Sequence, residues 1–219
     1  MEIILCVPFS VIKSMADRID GPGLISISGQ DVYWEDWGAY TGEISPPMLA
    51  DLSAKFCMIG HSERRKYFDE TDETVNKKAL ALLKSGVKPI VCIGETLEER
   101  QLGLTNNILE KQLKVCFNRL SSPDLEKTVI LYEPRWAIGT GNVADSDQIA
   151  QAHLFIRKGL GRLFSARSAG RTRIIYGGSV TPDNIGVISK IADVDGVGVG
   201  GASLDLANFL KIVNAVGNA

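Results

Sequence analysis

The sequence predicts an α/β protein built on a parallel sheet. Short apolar runs typical of buried strands alternate with helix-length segments to the end of the chain. The strand–helix units have roughly thirty residues each, a spacing that implies parallel strands joined by helices. Glycine-rich turns and polar residues at several strand ends favour a (β/α) barrel, although this pattern also fits a doubly wound open sheet.

Seven strands are predicted, at residues 3–6, 25–28, 56–60, 88–93, 129–132, 173–176 and 194–199. Helices are predicted over residues 9–19 and 73–84, and Pro46-Pro47 and Thr181-Pro182 are typical helix starts. Apolar residues spaced by three or four predict buried helix faces. These faces are Val75, Ala79 and Leu82; Leu109, Leu113, Cys116 and Leu120; Ile149, Ala152, Ile156, Leu160 and Leu163; and Leu206, Phe209, Val213 and Val216.

Bulk composition indicates a compact intracellular protein. The chain has 219 residues, 45% hydrophobic and 23% charged, which suits one globular domain over residues 1–219. A net charge of -2 argues against nucleic acid or an anionic membrane as the main partner. No segment has the length of a signal-peptide core or a membrane span. The four widely spaced cysteines are expected to be reduced, as in a cytoplasmic protein. The chain has two histidines, which leave little room for a zinc site, and we predict no metal site.

Residues 132–141 combine a carboxylate at a strand end with a segment that has the features of a lid. The predicted strand at 129–132 is followed directly by Glu133 and Pro134. Parallel α/β proteins place their chemistry at this end of a strand. Residues 134–141 begin with proline and end with glycine, as a hinged lid that excludes water would. The alternative is an ordinary loop with an exposed Glu133.

Three other strand ends carry residues suited to a phosphorylated substrate. His61 follows a strand and precedes a helix start, so the helix dipole is expected to lower its pKa and keep it a neutral hydrogen-bond donor. A simple loop histidine is the alternative. Gly177-Gly178-Ser179 and Gly200-Gly201 follow the last two strands. Paired glycines let backbone N–H groups approach a phosphate, and barrels often bind phosphate at this place.

Several stretches together resemble the triosephosphate isomerase family. They are residues 30–31, 39–45, 60–65 (Gly-His-Ser-Glu-Arg-Arg), 132–141, 176–179 and 200–204, and their order and spacing extend over essentially the whole chain. The resemblance implies a TIM (β/α) barrel and a homodimer. It also implies interconversion of dihydroxyacetone phosphate and D-glyceraldehyde 3-phosphate without a metal ion or cofactor.

The resemblance also implies roles for individual residues. Glu133 is the base that moves a proton through an enediol, His61 polarises the carbonyl oxygen as a neutral imidazole, and Glu63 supports the site, a well-known case of pKa tuning in this family. The phosphate ligands are Gly139, Ser179, Gly200 and Gly201. The lid is Pro134, Arg135, Trp136, Ala137, Ile138, Gly139, Thr140 and Gly141, with Ile138 against the base. The aromatic 30–45 loop, with Thr41, Gly42 and Glu43 near its tip, forms the dimer contact.

Three departures from the family pattern bear on activity. The chain begins at what resembles the family's second strand, so we expect an N-terminally truncated barrel of about seven β/α units. It would lack the first-strand Asn-x-Lys, a loss of several kcal/mol, on the order of several powers of ten in rate. Seven-stranded closure, an open barrel and edges covered by another chain all remain open. Gly198 replaces a leucine that clamps the base, which should admit water and make Glu133 less basic. Arg135 replaces an aliphatic residue and is expected to restore part of the missing charge.

The sequence therefore predicts a triosephosphate isomerase of reduced activity. It would act on a triose phosphate as a homodimer, with a weakened dimer or a monomer as alternatives, and with no nucleic-acid or membrane partner. One alternative is an inactive truncated barrel with a binding or structural role. Another is an isomerase of a larger sugar phosphate, such as a tetrulose phosphate, using the room beside Gly198.

Overall fold

A seven-stranded sheet runs through the residues that the computed structural model describes, which are 1–19, 23–138 and 143–217. Its strands are hydrogen-bonded in chain order. The pairs among the first four strands and among the last three are parallel. They are β1 (Ile3–Cys6), β2 (Ile25–Gly29), β3 (Phe56–Ile59), β4 (Lys88–Ile93), β5 (Val129–Tyr132), β6 (Arg173–Tyr176) and β7 (Gly196–Val197). Parallel strands separated by helices confirm the predicted α/β class.

The α-helices of the same ranges are α1 (Ile12–Ala16), α2 (Pro46–Asp51), α3 (Ser62–Tyr67), α4 (Asp72–Lys84), α5 (Leu97–Gln101), α6 (Thr105–Cys116), α7 (Ser122–Lys127), α8 (Ser146–Leu163), α9 (Ala166–Arg171), α10 (Ile185–Ile188) and α11 (Leu206–Gly217). Short 3₁₀ turns lie at Phe9–Val11, Arg135–Ala137 and Gly201–Leu204. No helix in the described part of the chain is long and apolar enough to cross a bilayer.

Three predicted elements are wrong in extent. The helix predicted over residues 9–19 is a 3₁₀ turn at Phe9–Val11 followed by α1, which ends at Ala16. Local hydrogen bonds bear on the other two. β7 is shorter than the predicted 194–199 because the Val194 N–H donates to the Ile191 carbonyl at 3.2 Å, in a turn rather than in the ladder. The helix expected to start at Thr181-Pro182 begins at Ile185 instead. There, the Asn184 side chain accepts the Thr181 N–H at 2.8 Å and holds residues 181–184 in a turn.

The chain forms two compact units, each with its own core. Unit 1 comprises Met1–Val91 and Val115–Leu120, and unit 2 comprises Cys92–Lys114 and Ser121–Ala219. Fully buried side chains of unit 1 include Ile12, Leu49, Phe56, Ile59 and Leu82, and those of unit 2 include Leu109, Leu125, Ile130, Tyr132 and Tyr176. The four cysteines are free thiols, three of them buried.

The predicted helix faces are buried in α4 and over most of α8, but not in α11. Val75, Ala79 and Leu82 are fully buried, as are Ile156 and Leu160 in the longer helix. Leu163, at the last turn of α8, is 42% exposed. In α11 the buried residue is Ile212, whereas Leu206 is 71% exposed and Phe209, Val213 and Val216 are half-exposed. That helix packs on α10 and the 3₁₀ turn before it, a narrower contact than its apolar stripe predicts.

Candidate active site

Glu133 lies directly after β5 and is almost completely buried. Glu133 is 2% exposed. Its N–H donates to the Ile93 carbonyl at 2.8 Å, and this bond continues the sheet ladder one residue past the strand. A buried carboxylate is costly unless the site uses it, so this position is unlike the exposed loop residue of the alternative interpretation.

The carboxyl ends of β5, β6 and β7 are aligned within unit 2. The Gly177 N–H donates to the Tyr132 carbonyl at 2.8 Å, and the Gly198 N–H donates to the Tyr176 carbonyl at 2.7 Å. Because these bonds extend two parallel pairs beyond their strands, Glu133 and the two glycine turns share one edge of the sheet. This is the edge where parallel α/β proteins bind their ligands.

The turn after β6 is so tightly packed that it requires glycine. A Cβ at Gly177 would lie 2.7 Å from Leu131 Cδ1, and one at Gly178 would lie 2.0 Å from the Tyr176 hydroxyl oxygen. The half-buried Ser179 completes the turn, and its carbonyl accepts the Asn184 Nδ2–H at 2.9 Å. Asn184, which the sequence analysis missed, therefore fixes the turn from its far side.

The turn after β7 is open. Gly200 and Gly201 are exposed, and no described heavy atom lies within 4 Å of the place where a Cβ of either residue would stand. The Ser203 N–H and hydroxyl both donate to the Gly200 carbonyl, at 2.9 and 2.7 Å. The free space leaves the main chain of this turn accessible to an anion. Gly139, the fourth predicted phosphate ligand, lies outside the described residues.

The described half of the predicted lid, 134–138, is anchored by main-chain bonds. Arg135, Trp136 and Ala137 form a 3₁₀ turn, in which the Ala137 N–H donates to the Pro134 carbonyl at 2.8 Å. Trp136 and Ala137 are buried, and Arg135 and Ile138 are half-buried. The remaining lid residues, Gly139, Thr140 and Gly141, lie outside the described residues.

Glu95, which the sequence analysis missed, accepts several hydrogen bonds in this region. Its side chain is fully buried and accepts hydrogen bonds from Trp136 Nε1 at 2.9 Å, Arg100 at 3.1 Å and the Tyr132 hydroxyl at 3.2 Å. The Arg100 guanidinium also lies 4.6 Å from the centre of the Trp136 ring. Burial, and then the Glu95 carboxylate, raises the pKa of Tyr132 well above its usual range. The sequence signal that could have identified Glu95 is its position as a carboxylate just after β4, like that of Glu133 after β5.

Leu131 occupies the space expected to be open beside Gly198. A Cβ at Gly198 would lie 2.8 Å from Leu131 Cδ1, and Leu131 itself is 7% exposed. Leu131 and Glu133 are two residues apart, so their side chains project from the same face of the chain. Leu131 of β5 therefore forms an apolar wall beside Gly198, where the sequence analysis expected open space.

In unit 1, the first turn of α3 orients His61. The Glu63 N–H donates to His61 Nδ1 at 3.4 Å, so a neutral ring carries its proton on Nε2. The Glu63 carboxylate oxygen Oε2 lies 3.7 Å from Nδ1, and that side chain is 70% exposed. Glu63 thus acts on the imidazole through its backbone, with an exposed carboxylate beside it.

The residue before His61 is held on both sides by charged side chains. The Gly60 N–H donates to Glu70 Oε1 at 2.8 Å, and Arg65 Nε donates to the Gly60 carbonyl at 2.7 Å. Arg65 is paired in turn with Asp72 at 2.6 Å. These bonds fix the backbone that carries the imidazole.

Glu70 belongs to a largely buried network of four charged side chains. Lys78 Nζ lies 2.6 Å from Asp31 and 3.1 Å from Glu70, and Arg64 Nε lies 2.8 and 2.7 Å from the same two carboxylates. Burial raises the pKa of Asp31, and the nearby Lys78 ammonium opposes that shift. Two acidic and two basic side chains balance each other in charge. Removing any one of them would leave a charge in the network without its partner.

The 30–45 loop is tied at its base and exposed at its tip. The Tyr33 N–H donates to the Ile44 carbonyl at 2.8 Å, and the Tyr33 ring packs 4.1 Å from Trp34 and 4.6 Å from Tyr40, between ring centres. Trp37 is 88% exposed, and Thr41, Gly42 and Glu43 are exposed as well. A shaped loop that presents an uncovered indole has the composition of an interface hot spot.

A buried carboxylate and glycine turns at the carboxyl ends of parallel strands are typical of α/β enzymes that act on small anionic substrates. Among the described side chains, no group of three or more His, Cys, Asp or Glu residues is placed to hold a metal ion.

Comparison with known proteins identifies the family. The triosephosphate isomerase family matches residues 1–216. The triosephosphate isomerase of Citrifermentans bemidjiense is 50% identical over 213 residues, which are 97% of this chain and 84% of that relative. That of Moorella thermoacetica is 47% identical over 213 residues, 97% of this chain and 85% of the relative. That of Thermodesulfovibrio yellowstonii is 52% identical over 189 residues, 86% and 76%. The chain belongs to the triosephosphate isomerase family, as the resemblance implied.

Proposed function

We propose that this chain is a triosephosphate isomerase that interconverts dihydroxyacetone phosphate and D-glyceraldehyde 3-phosphate. The observation that carries the proposal is Glu133, 2% exposed at the end of β5 and on the same sheet edge as the glycine turns after β6 and β7. Membership of the family and the names of the relatives support the same reaction.

In the proposed reaction, the Glu133 carboxylate takes a proton from the carbon beside the substrate carbonyl. The electron pair of that C–H bond forms the double bond of an enediol, while His61 donates a hydrogen bond from Nε2–H to the carbonyl oxygen. In the enediol, the former carbonyl oxygen takes the His61 Nε2 proton, and His61 Nε2 takes up the proton of the neighbouring hydroxyl, whose carbon becomes the new carbonyl. Glu133 returns its proton to the carbon that carried the old carbonyl, so Glu133 and His61 end as they began and the reaction has no net change in protons or electrons. The bond from the Glu63 N–H to His61 Nδ1 supports this role for Nε2.

We assign the substrate phosphate to backbone N–H groups of Ser179, Gly200 and Gly201, with Gly139 as a fourth ligand. The tight glycine packing after β6 and the open space around Gly200 and Gly201 support this assignment. Residues 134–141 would then close over the bound substrate and exclude water.

The reduced turnover expected from the sequence, and the part in it expected of half-buried Arg135, stay predictions. A kcat in the ordinary enzyme range, on the order of 10 per second, would contradict the reduced rate without contradicting the reaction.

The partner we propose is a second copy of the chain, held through the 30–45 loop. The 88% exposure of Trp37 and the exposed tip at Thr41, Gly42 and Glu43 support this contact. Size-exclusion chromatography with light scattering tests it, and a monomer at micromolar concentration would contradict a stable dimer. It stays a prediction that residues 1–219 act as one (β/α)-barrel domain, truncated to about seven units. The cytoplasmic location also stays a prediction.

A coupled isomerase assay on three purified proteins tests the reaction. They are the unchanged chain, Glu133→Gln and Glu110→Gln, the last a control because Glu110 is a half-exposed carboxylate on the surface of α6. We expect Glu133→Gln to lower kcat by roughly 10²–10⁴-fold and Glu110→Gln to leave it unchanged. Equal turnover in all three preparations would indicate host enzyme. No turnover by the unchanged chain would favour a barrel that only binds sugar phosphate.

A further inference from the structure

Gln112 makes an unusual pair of contacts with the main chain next to β4. Its side chain projects from α6 and is 5% exposed. The Gly94 N–H donates to Gln112 Oε1 at 2.9 Å, and Gln112 Nε2 donates to the Gly94 carbonyl at 3.3 Å. One side-chain amide therefore satisfies both polar groups of Gly94, which lie in successive peptide units.

Gly94 in turn presses against the main chain of Glu133. A Cβ at Gly94 would lie 1.9 Å from the Glu133 carbonyl oxygen, 2.7 Å from its carbon and 3.4 Å from the nitrogen of Pro134. Only glycine allows so close an approach. The α-carbon of Gly94 therefore faces the peptide bond between Glu133 and Pro134.

The residues on either side of Gly94 hold the same segment. The Glu133 N–H donates to the Ile93 carbonyl at 2.8 Å, and the Arg135 N–H donates to the Glu95 carbonyl at 3.0 Å. Residues 93–95 thus support residues 133–135 at three consecutive points. Gln112 fixes the middle point, and it does so from another element, α6.

We propose that Gln112 is a positioning residue for the isomerase reaction, which sets the place of the Glu133 carboxylate through the main chain of Gly94. The proposal rests on the proposed role of Glu133 as the base. The three supports define the backbone of Glu133, and proton transfer depends steeply on the distance between the carboxylate and the substrate carbon. We assign phosphate binding to the turns after β6 and β7, whereas the described hydrogen bonds of the Gln112 side chain go to Gly94.

Two substitutions separate the contributions of the two bonds. Gln112→Met keeps the length of the side chain and removes both hydrogen bonds. Gln112→Glu keeps an acceptor for the Gly94 N–H, but as a carboxylate it has no donor for the Gly94 carbonyl. Leu109→Ala is the matched control, because Leu109 is a fully buried residue of the same helix that has no part in the Gly94 contact.

The kinetic test uses kcat, KM, the inhibition constant of inorganic phosphate, and the isotope effect of substrate deuterated at the carbon that loses its proton. For Gln112→Met we expect kcat to fall by roughly 10–100-fold, with KM and phosphate inhibition within about twofold. If product release limits kcat of the unchanged chain, the isotope effect on kcat should rise in Gln112→Met, because proton transfer then becomes the slower step. The kcat and isotope effect of Gln112→Glu should lie between those of Gln112→Met and those of the unchanged chain. Leu109→Ala should lower stability and leave kcat and the isotope effect unchanged.

Amide hydrogen exchange supplies a readout that needs no turnover. In Gln112→Met, the N–H groups of Gly94, Glu133 and Arg135 should exchange at least about tenfold faster relative to the Gly177 N–H, a ladder bond of the same unit. An unchanged chain without isomerase activity would remove the proposed function, and the exchange ratios would still decide whether Gln112 fixes this backbone. A Gln112→Met protein with unaltered isotope effect and exchange ratios, or with the same profile as Leu109→Ala, would overturn the proposal.

Discussion

Leu131 and Gly198 form a complementary pair whose exchange has a predictable effect on stability. In Gly198→Leu, the new Cβ would lie 2.8 Å from Leu131 Cδ1 and 3.6 Å from Cδ2. The first distance is well below the optimum of about 3.5–4.0 Å for two carbon atoms. Overpacking of this kind costs about 1–3 kcal/mol in unfolding free energy. Backbone strain adds nothing, because the φ angle of Gly198 is outside the left-handed region.

The reverse change removes the side chain that fills the space. Leu131 is 7% exposed and contacts the positions of both Gly177 and Gly198, so Leu131→Ala should leave a cavity and cost about 2–5 kcal/mol. In the double variant Leu131→Ala/Gly198→Leu, the new leucine occupies that cavity. We therefore expect the double variant to be more stable than the sum of the single changes by at least about 2 kcal/mol.

Urea unfolding followed by circular dichroism measures all four free energies, and thermal unfolding checks them at about 2–4 °C per kcal/mol for a chain of this size. Gly186→Leu is the matched control, because a Cβ at Gly186 would meet no described heavy atom within 4 Å. It should show no coupling to Leu131→Ala. Additivity of Leu131→Ala and Gly198→Leu within about 0.5 kcal/mol would refute the idea that Leu131 supplies the wall.

Three further predictions concern other parts of the chain. Burial lowers the pKa of His153 to about 4 from 6.5, so the unfolded chain binds this proton more tightly. The contribution of neutral His153 to the free energy of unfolding is therefore complete above pH 6.5 and declines by about 3 kcal/mol towards pH 4. In urea titrations at several pH values, His153→Gln should show a smaller decline. Lys78→Met leaves Asp31 and Glu70 with one cation fewer and should cost about 3–5 kcal/mol at pH 7; a loss below about 1 kcal/mol in urea unfolding would contradict the network's importance. Trp37→Ala should raise the dimer dissociation constant at least about tenfold by light scattering, and an unchanged value would exclude Trp37 from the interface.

The sequence predicted best those elements whose signals are local. The strands at 88–93, 129–132 and 173–176 have the bounds observed, because each apolar run is bordered by turn residues. In α8, the apolar stripe predicted most of the buried face. The stripe of α11 is as clear, yet Leu206 is exposed, because periodicity shows that a helix has an apolar face and not what covers it.

Candidate site residues stand out in the sequence where one residue carries the signal, and they are missed where contacts join distant residues. Glu133 was recognisable as a lone carboxylate after an apolar strand. Glu95 has almost the same signal, but the intervening Gly94 separates it from the end of β4. Gln112 and Leu131 look like ordinary helix and strand residues, and their roles follow only from the atoms they contact in three dimensions. Gly198 suggested an open wall, because sequence shows a lost side chain but not the neighbour that fills its place.

The most direct test of the central claim, that Glu133 moves the proton, is isomerisation of dihydroxyacetone phosphate in heavy water, followed by NMR. A carboxylate that takes up and returns the proton exchanges it with solvent, so we predict D-glyceraldehyde 3-phosphate that carries deuterium at the carbon beside the new carbonyl. The Glu133→Gln protein should form labelled product roughly 10²–10⁴-fold more slowly, and Glu110→Gln should form it at the unchanged rate. Labelled product from Glu133→Gln at the rate of the unchanged chain would contradict the assignment of Glu133 as the base.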